Sequence, residues 1–101
     1  MEIWLIKMIK MLDTIEKVVF AGDFVLGKVK NVILDPEGWK VTHLEVELNN
    51  KATKELFGAK KAFRNNLAIS ALKEGAEAFS GRGIELKVSK GQLNIYLRPP
   101  E

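Results

Sequence analysis

The chain has 101 residues, of which 47% are hydrophobic and 29% are charged, a balance typical of one soluble globular domain. It has no cysteine and one histidine, which excludes disulfides, thiol chemistry, Cys-type zinc sites and any mechanism that needs two histidines. The net charge of +3, from 16 basic and 13 acidic residues, permits contact with nucleic acid or anionic lipid without arguing for either. No apolar run is long enough to span a bilayer.

Residues 1–17 carry the periodicity of an amphipathic helix. One side of the helical wheel is lined by Trp4, Met8, Met11, Leu12 and Ile15. Three interpretations stay open for this segment. It is a helix packed on the domain or on a second subunit, a helix lying on a membrane surface, or a non-native extension ahead of a true start at Met8 or Met11. In each case the domain itself is predicted over residues 18–98.

Two strands around a tight turn are predicted between Gly22 and Leu48, after a short strand at Val18–Phe20. The first is Phe24–Leu34, and Gly27 within it indicates a bulge or a sharp coil. The second is Val41–Leu48.

The turn between them is Asp35-Pro36-Glu37-Gly38. Pro36 presets its own φ, the Asp35 side chain bonds the backbone, and Gly38 accepts a positive φ.

Val41–Leu48 alternates in polarity. Leu44, Val46 and Leu48 are expected to face inward with Thr42, and His43, Glu45 and Glu47 to face outward. We interpret His43 as a surface or interface residue, because no further ligand or acid–base partner accompanies it. The two glutamates are interpreted as a solvated face.

The middle of the chain predicts shorter elements. Lys51–Phe57 is a helix that Gly58 stops, Asn65-Asn66 is a turn, and residues 67–69 form a brief strand. Ser70 caps a helical turn that ends at Gly75, and residues 76–83 form a loop. The Gly81-Arg82-Gly83 sequence lacks the following helix that a phosphate-binding loop needs, so it is interpreted as a flexible turn.

The C-terminal part predicts a hairpin, Ile84–Ser89 and Gln92–Leu97, around Lys90-Gly91. That register pairs apolar residues with apolar residues and polar with polar. Five or six short strands in antiparallel succession, with one or two short helical segments, predict an all-β fold. We expect a small, strongly bent antiparallel β-barrel.

The best candidate for a binding surface is the basic segment 51–64, in which five basic residues stand against Glu55 alone. Its candidate partner-binding residues are Lys51, Lys54, Lys60, Lys61, Phe63 and Arg64. Basic side chains with an interleaved aromatic suit RNA, an anionic membrane or an acidic peptide. A solvated helix and loop is the alternative. No catalytic residue, cofactor site or metal site is indicated.

The stretch Gly22–Leu48 resembles the core hairpin of PRC-barrel domains, small β-barrels named for the photosynthetic reaction centre H subunit. The matching residues are Val-Leu-Gly-Lys-Val-Lys-Asn-Val-Ile-Leu-Asp-Pro-Glu-Gly from Val25, and Val-Thr-His-Leu-Glu-Val from Val41. Asn31 stands where that family usually has Asp. A looser match at residues 67–75 lacks the family's proline.

The resemblance implies a barrel that docks onto other proteins and performs no chemistry itself. The stand-alone form looks archaeal, and such proteins act as adaptors in FtsZ-based cell division. Other relatives join the barrel to a ribosome-maturation factor or control electron transfer beside a membrane complex. We therefore predict a non-enzymatic, cofactor-free adaptor that is cytoplasmic, homodimeric and bound to the division-ring machinery, which holds it at the inner face of the membrane. The alternative is an RNA- or ribosome-maturation-associated module that uses residues 51–64.

Overall fold

The computed structural model describes residues 15–98, which form one seven-stranded mixed sheet in the order β5-β6-β1-β2-β3-β4-β7. The strands are β1 (Val18–Ala21), β2 (Phe24–Asp35), β3 (Lys40–Leu48), β4 (Arg64–Ala68), β5 (Phe79–Ser80), β6 (Gly83–Glu85) and β7 (Leu97–Arg98). The helices are α1 (Asn50–Phe57) and α2 (Leu93–Tyr96), and short 3-10 turns lie at Ile69–Ala71, Gly75–Ala78 and Lys90–Gln92. The mostly β fold is confirmed.

The expectation of an antiparallel arrangement throughout was wrong, because β6 pairs parallel to β1, with Val19 opposite Ile84. Gly83 permits this pairing: it has φ +148°, and a Cβ there would overlap the Val18 carbonyl. Only glycine combines this backbone conformation with so close an approach. The sheet ends at β5 on one side and at β7 on the other, so it is open rather than closed into a barrel.

The core lies on one face of the sheet, as strand alternation predicts. On β3, Leu44, Val46 and Leu48 are fully buried, and β4 adds Leu67 from the neighbouring strand. Thr42 is only half-buried, at the point where the β2–β3 register shifts. The other fully buried apolar side chains are Val19, Leu26, Val29, Ala52, Ala71, Ile84 and Leu93.

Gly27, which was predicted to mark a bulge or a sharp coil, lies close against β3. A Cβ on Gly27 would overlap the Glu47 carbonyl oxygen, so only a residue without a side chain fits. The ladder register shifts nearby, between Val29 and Asn31.

The turn after β2 follows its sequence pattern with one correction. The Asp35 side chain accepts a hydrogen bond from the Glu37 backbone N–H at 3.0 Å, as predicted. Gly38 does not take the positive φ; Trp39 does, at φ +52°. The turn runs from Pro36 to Trp39, and in a four-residue loop the left-handed residue is often the last before the next strand.

The predicted C-terminal hairpin was wrong. Ser89 and Gln92 form a capping box, in which the Gln92 side chain accepts from the Ser89 N–H at 3.2 Å, and a 3-10 turn and α2 follow. The helical turn buries Leu93 and Leu97, four residues apart, and leaves Ile95 67% exposed. A strand would have put these three side chains on one face of the sheet. Their burial therefore follows the helical period of 3.6 residues and not the strand period of two.

Two smaller expectations also change. Asn65 and Asn66 lie within β4 rather than in a turn, and Ser70 lies inside the 3-10 turn Ile69–Ala71 rather than capping a helical turn. Helix α1 is confirmed, with Gly58 ending it at φ +69°. Of the predicted N-terminal interface, Trp4, Met8, Met11 and Leu12 lie outside the described residues. Ile15 lies in a turn and is half-buried.

Candidate binding surfaces

The β2–β3 hairpin extends past its neighbours as an arm, which we define as residues 31–42. Strand β1 pairs with β2 only as far as Lys28, and the backbone bonds of Glu16 and Lys17 carry the pairing to Val29. Strand β4 pairs with β3 only from His43 onward. Within residues 15–98, both strands of the arm therefore have an outer edge without a neighbouring strand, and such edges are natural pairing sites.

The arm carries apolar side chains on a two-stranded ribbon. Val32, Ile33, Leu34 and Val41 are half-buried, and Trp39 at the tip is 73% exposed. The Val32 backbone N–H donates to the Asn31 side chain at 2.8 Å.

The structure divides the predicted basic segment into two groups. Lys51 and Lys54 on α1, and Lys60 and Lys61 on the following loop, are all exposed, and we call these four residues the lysine surface. Arg64 lies instead on the outward face of the sheet. There it pairs with Glu45 at 3.1 Å and reaches Glu47 at 3.8 Å.

Backbone geometry brings the two halves of the lysine surface together. The Asn49 side chain caps α1 by accepting from the Ala52 N–H at 2.7 Å. The Asn50 side chain accepts from the Ala62 N–H at 3.0 Å, which ties the end of the loop to the start of the helix. Lys60 and Lys61 are therefore held in a loop that Gly58 turns back towards the first turn of α1.

The carboxylate within the segment is already neutralised. Glu55 accepts a hydrogen bond from Lys90, and this bond lowers the pKa of the Glu55 carboxyl. Within residues 15–98, no ion pair joins any of the four lysines of the surface to a carboxylate. Their positive charge is therefore available to a ligand.

The aromatic side chain of this region is not the one that the sequence indicated. Phe63 is half-buried against the core, whereas Phe57 at the end of α1 is 43% exposed. The two rings pack with centroids 5.2 Å apart at an interplanar angle of 57°, a favourable tilted geometry that holds Phe57 in place.

A second charged cluster escaped the sequence interpretation. Arg82 donates to Glu85 from Nε at 2.7 Å and from Nη2 at 2.8 Å, and Nη2 also reaches the Gly22 carbonyl at 2.8 Å. Ser80 donates to Glu85 at 2.7 Å, and the guanidinium lies 4.1 Å from the Phe20 ring centroid. The Gly-Arg-Gly sequence is thus a fixed junction between the β1–β2 and β5–β6 turns. In the sequence, only the spacing of three residues between Arg82 and Glu85 indicates this cluster.

Hydrogen bonding sets the charge state of this cluster. The bonds from Arg82, and next from Ser80, lower the pKa of Glu85 from 4.5 to about 2. Glu85 is buried as a residue, and its charge is compensated by the bidentate pair. A carboxylate held in this way stays ionised near neutral pH.

His43 is half-buried on β3, and its Nδ1 lies 3.0 Å from the Thr42 hydroxyl. In the part of the chain that the structure describes, no three His, Asp or Glu side chains are arranged to hold a metal ion.

The buried amide oxygens of Asn65 and Asn66 have no hydrogen-bond partner among the described residues. No helix between residues 15 and 98 has the length and apolar character needed to cross a bilayer.

No family model matches the chain, and no curated protein matches it.

Proposed function

We propose that the protein is a non-enzymatic adaptor that binds another protein through the β2–β3 arm. The observation that carries the proposal is the combination of open strand edges and an exposed Trp39 on the same projecting ribbon. Strand edges bind extended segments by main-chain hydrogen bonds, and tryptophan is enriched among the residues that dominate binding energy. A single large anchor at the tip gives the edge its specificity.

The PRC-barrel resemblance belongs to this proposal. The stretch that carries it, Gly22–Leu48, is the β2–β3 hairpin, and Gly27 and the Asp35 turn serve to shape the arm. The seven-stranded sheet is then an opened form of the family's barrel. By the same resemblance we propose that the partner belongs to the division-ring machinery, in the cytoplasm at the inner face of the membrane.

We also propose that the β2 edge of the arm joins two copies of the chain. A two-fold axis at Ile33 places Asn31 opposite Asp35 and Val32 opposite Leu34 of the second copy. The pairing then matches polar residues with polar and apolar with apolar, which is the condition for a self-complementary edge. Light scattering after gel filtration measures this directly, and replacing Ile33 by Lys should turn a dimer into a monomer.

The test of the adaptor function compares three baits: the wild-type chain, Trp39→Ser and Ile95→Ser. Ile95 is a matched control, since it is 67% exposed against 73% for Trp39 but lies on α2, away from the arm. We expect the wild-type and control baits to recover division-ring proteins from a cell lysate, and Trp39→Ser to recover at least tenfold less. Equal recovery by all three baits, or recovery of ribosomal proteins alone, contradicts the proposal.

A further inference from the structure

The lysine surface is a second binding feature, on a different part of the molecule from the arm. Its four lysines come from α1 and from the loop that the Ala62–Asn50 hydrogen bond closes. Lys51 and Lys54 are one turn apart on the outward side of α1, opposite the buried Ala52 and Thr53. The charges therefore lie on one fixed outer surface rather than on flexible tails.

The nearby carboxylates form their close ion pairs with other cations. Glu55 is bound to Lys90, and Glu45 and Glu47 face Arg64 on the sheet. The surface therefore keeps a net positive charge, although the chain as a whole is only weakly basic. Clustered charge of one sign attracts a polyanion over about the 10 Å of a Debye length at 0.1 M salt.

Phe57 adds a flat apolar group next to these charges. It follows Lys54 by three residues on α1, so the two side chains are neighbours on the helix surface. Phe63 packs against one side of the ring, and Phe57 as a whole is 43% exposed. A half-exposed ring fixed from below suits stacking by a planar ligand better than insertion into a membrane, for which apolar side chains must project freely.

We propose that the lysine surface and Phe57 bind single-stranded nucleic acid. The lysines contact successive phosphates, and one unstacked base lies on the Phe57 ring. Positive charge that follows the backbone, together with an aromatic stacking platform, is the recognition chemistry of proteins that bind single strands with little sequence preference. Arg64 takes no part, because Glu45 and Glu47 already occupy its guanidinium.

Fluorescence anisotropy with a labelled oligouridylate of about ten nucleotides tests this, a length within the span that one small domain covers. Titrations from 50 to 300 mM NaCl should give a slope of log Kobs against log salt of about −3, since each phosphate contact on a single strand contributes about −0.7. The double variant Lys60→Ala/Lys61→Ala should reduce this slope to about half. Phe57→Leu should weaken binding roughly tenfold at every salt concentration.

The matched control is Lys17→Ala/Lys73→Ala, which removes the same charge from two exposed lysines outside both the surface and the arm. It should bind almost as the wild type does. Absence of binding at 50 mM salt overturns the proposal, as does an equal loss in the control double variant. Polyglutamate or phosphatidylserine vesicles that compete as well as the oligonucleotide also overturn it, because the surface would then be a general anion attractor. Neither lysine variant touches the arm, so the outcome is independent of the adaptor function.

Discussion

The Arg82 guanidinium donates two parallel hydrogen bonds to the Glu85 carboxylate, and it also donates one to the Gly22 carbonyl in the β1–β2 turn. The arrangement joins residues that are far apart in sequence and closes the end of the sheet where β6 meets β1. It also makes the stability of the fold depend on the charge of one carboxylate.

The pH dependence of this pair is the first prediction. Arg82 and Ser80 hold the pKa of Glu85 at about 2 in the folded protein, below 4.5. A lowered folded pKa means that the stabilisation is complete above pH 4.5 and is lost as the pH falls towards 2. We expect Glu85→Gln to be less stable than the wild type at pH 7, and the difference to shrink steadily below pH 4.5. Urea unfolding between pH 2 and pH 7 measures it, and Glu74→Gln is the exposed control. A difference that is constant across this range contradicts the prediction.

Gly27→Ala should be among the most destabilising single-methyl additions in the chain. The new Cβ overlaps the Glu47 carbonyl, so β2 and β3 must separate where Gly27 lies opposite Leu48. We expect a loss of roughly 3 kcal/mol in the free energy of unfolding, near the upper end of overpacking costs. Gly91→Ala is the control, because a Cβ there meets nothing within 4 Å. Similar unfolding curves for the two variants would show that the strands do not approach this closely.

Asn65→Leu should stabilise the protein. Asn65 is 3% exposed on the core face, opposite Val46 on β3, and its amide oxygen has no partner among the described residues. An unpaired buried polar group costs about 1–3 kcal/mol, and leucine, whose side chain branches at the same atom, removes that cost. We expect a gain of about 1 kcal/mol in thermal or urea unfolding. A loss would reveal a bound water or another donor at this amide.

Ile95 and Leu93 distinguish the helical turn from a hairpin. Leu93 is fully buried and Ile95 is 67% exposed, although a strand would treat them alike. We expect Leu93→Ala to cost about 2–5 kcal/mol, as core truncations do. Ile95→Ala should change the stability by less than about 0.5 kcal/mol, as is usual at exposed positions. Comparable losses of stability at the two positions would instead support a hairpin in this segment.

Local chemistry explains which parts of the fold could be predicted. The strands around the Asp35 turn and helix α1 with its Gly58 stop were found because their signals are short-range: alternation, a turn sequence and a cap. At residues 84–97 two local patterns compete, and matched polarity favoured a hairpin. The Ser89–Gln92 capping box favours a helical turn instead, and Leu93 and Leu97 stand at the spacing that such a turn needs.

Long-range partners could not be predicted from these patterns. Nothing in Gly83 itself indicates that its missing side chain makes room for Val18. The segment 51–64 was correctly singled out as basic. However, the roles within it depend on tertiary neighbours: Glu45 and Glu47 occupy Arg64, and the exposed ring belongs to Phe57 rather than to Phe63. One-dimensional charge counting cannot separate an engaged cation from an available one.

The parallel pairing of β1 with β6 also sets an order for folding during synthesis. Strand β1 is among the first parts of the domain to leave the ribosome, but its partner at Ile84 emerges only near the end. At about 5–20 residues per second, the wait lasts several seconds. The β2–β3 hairpin, with its near neighbours in sequence, forms well within that time. In the nascent chain, one edge of β1 therefore stays without its partner strand until Gly83 has been synthesised. An association of this edge with another chain during that interval interferes most with folding.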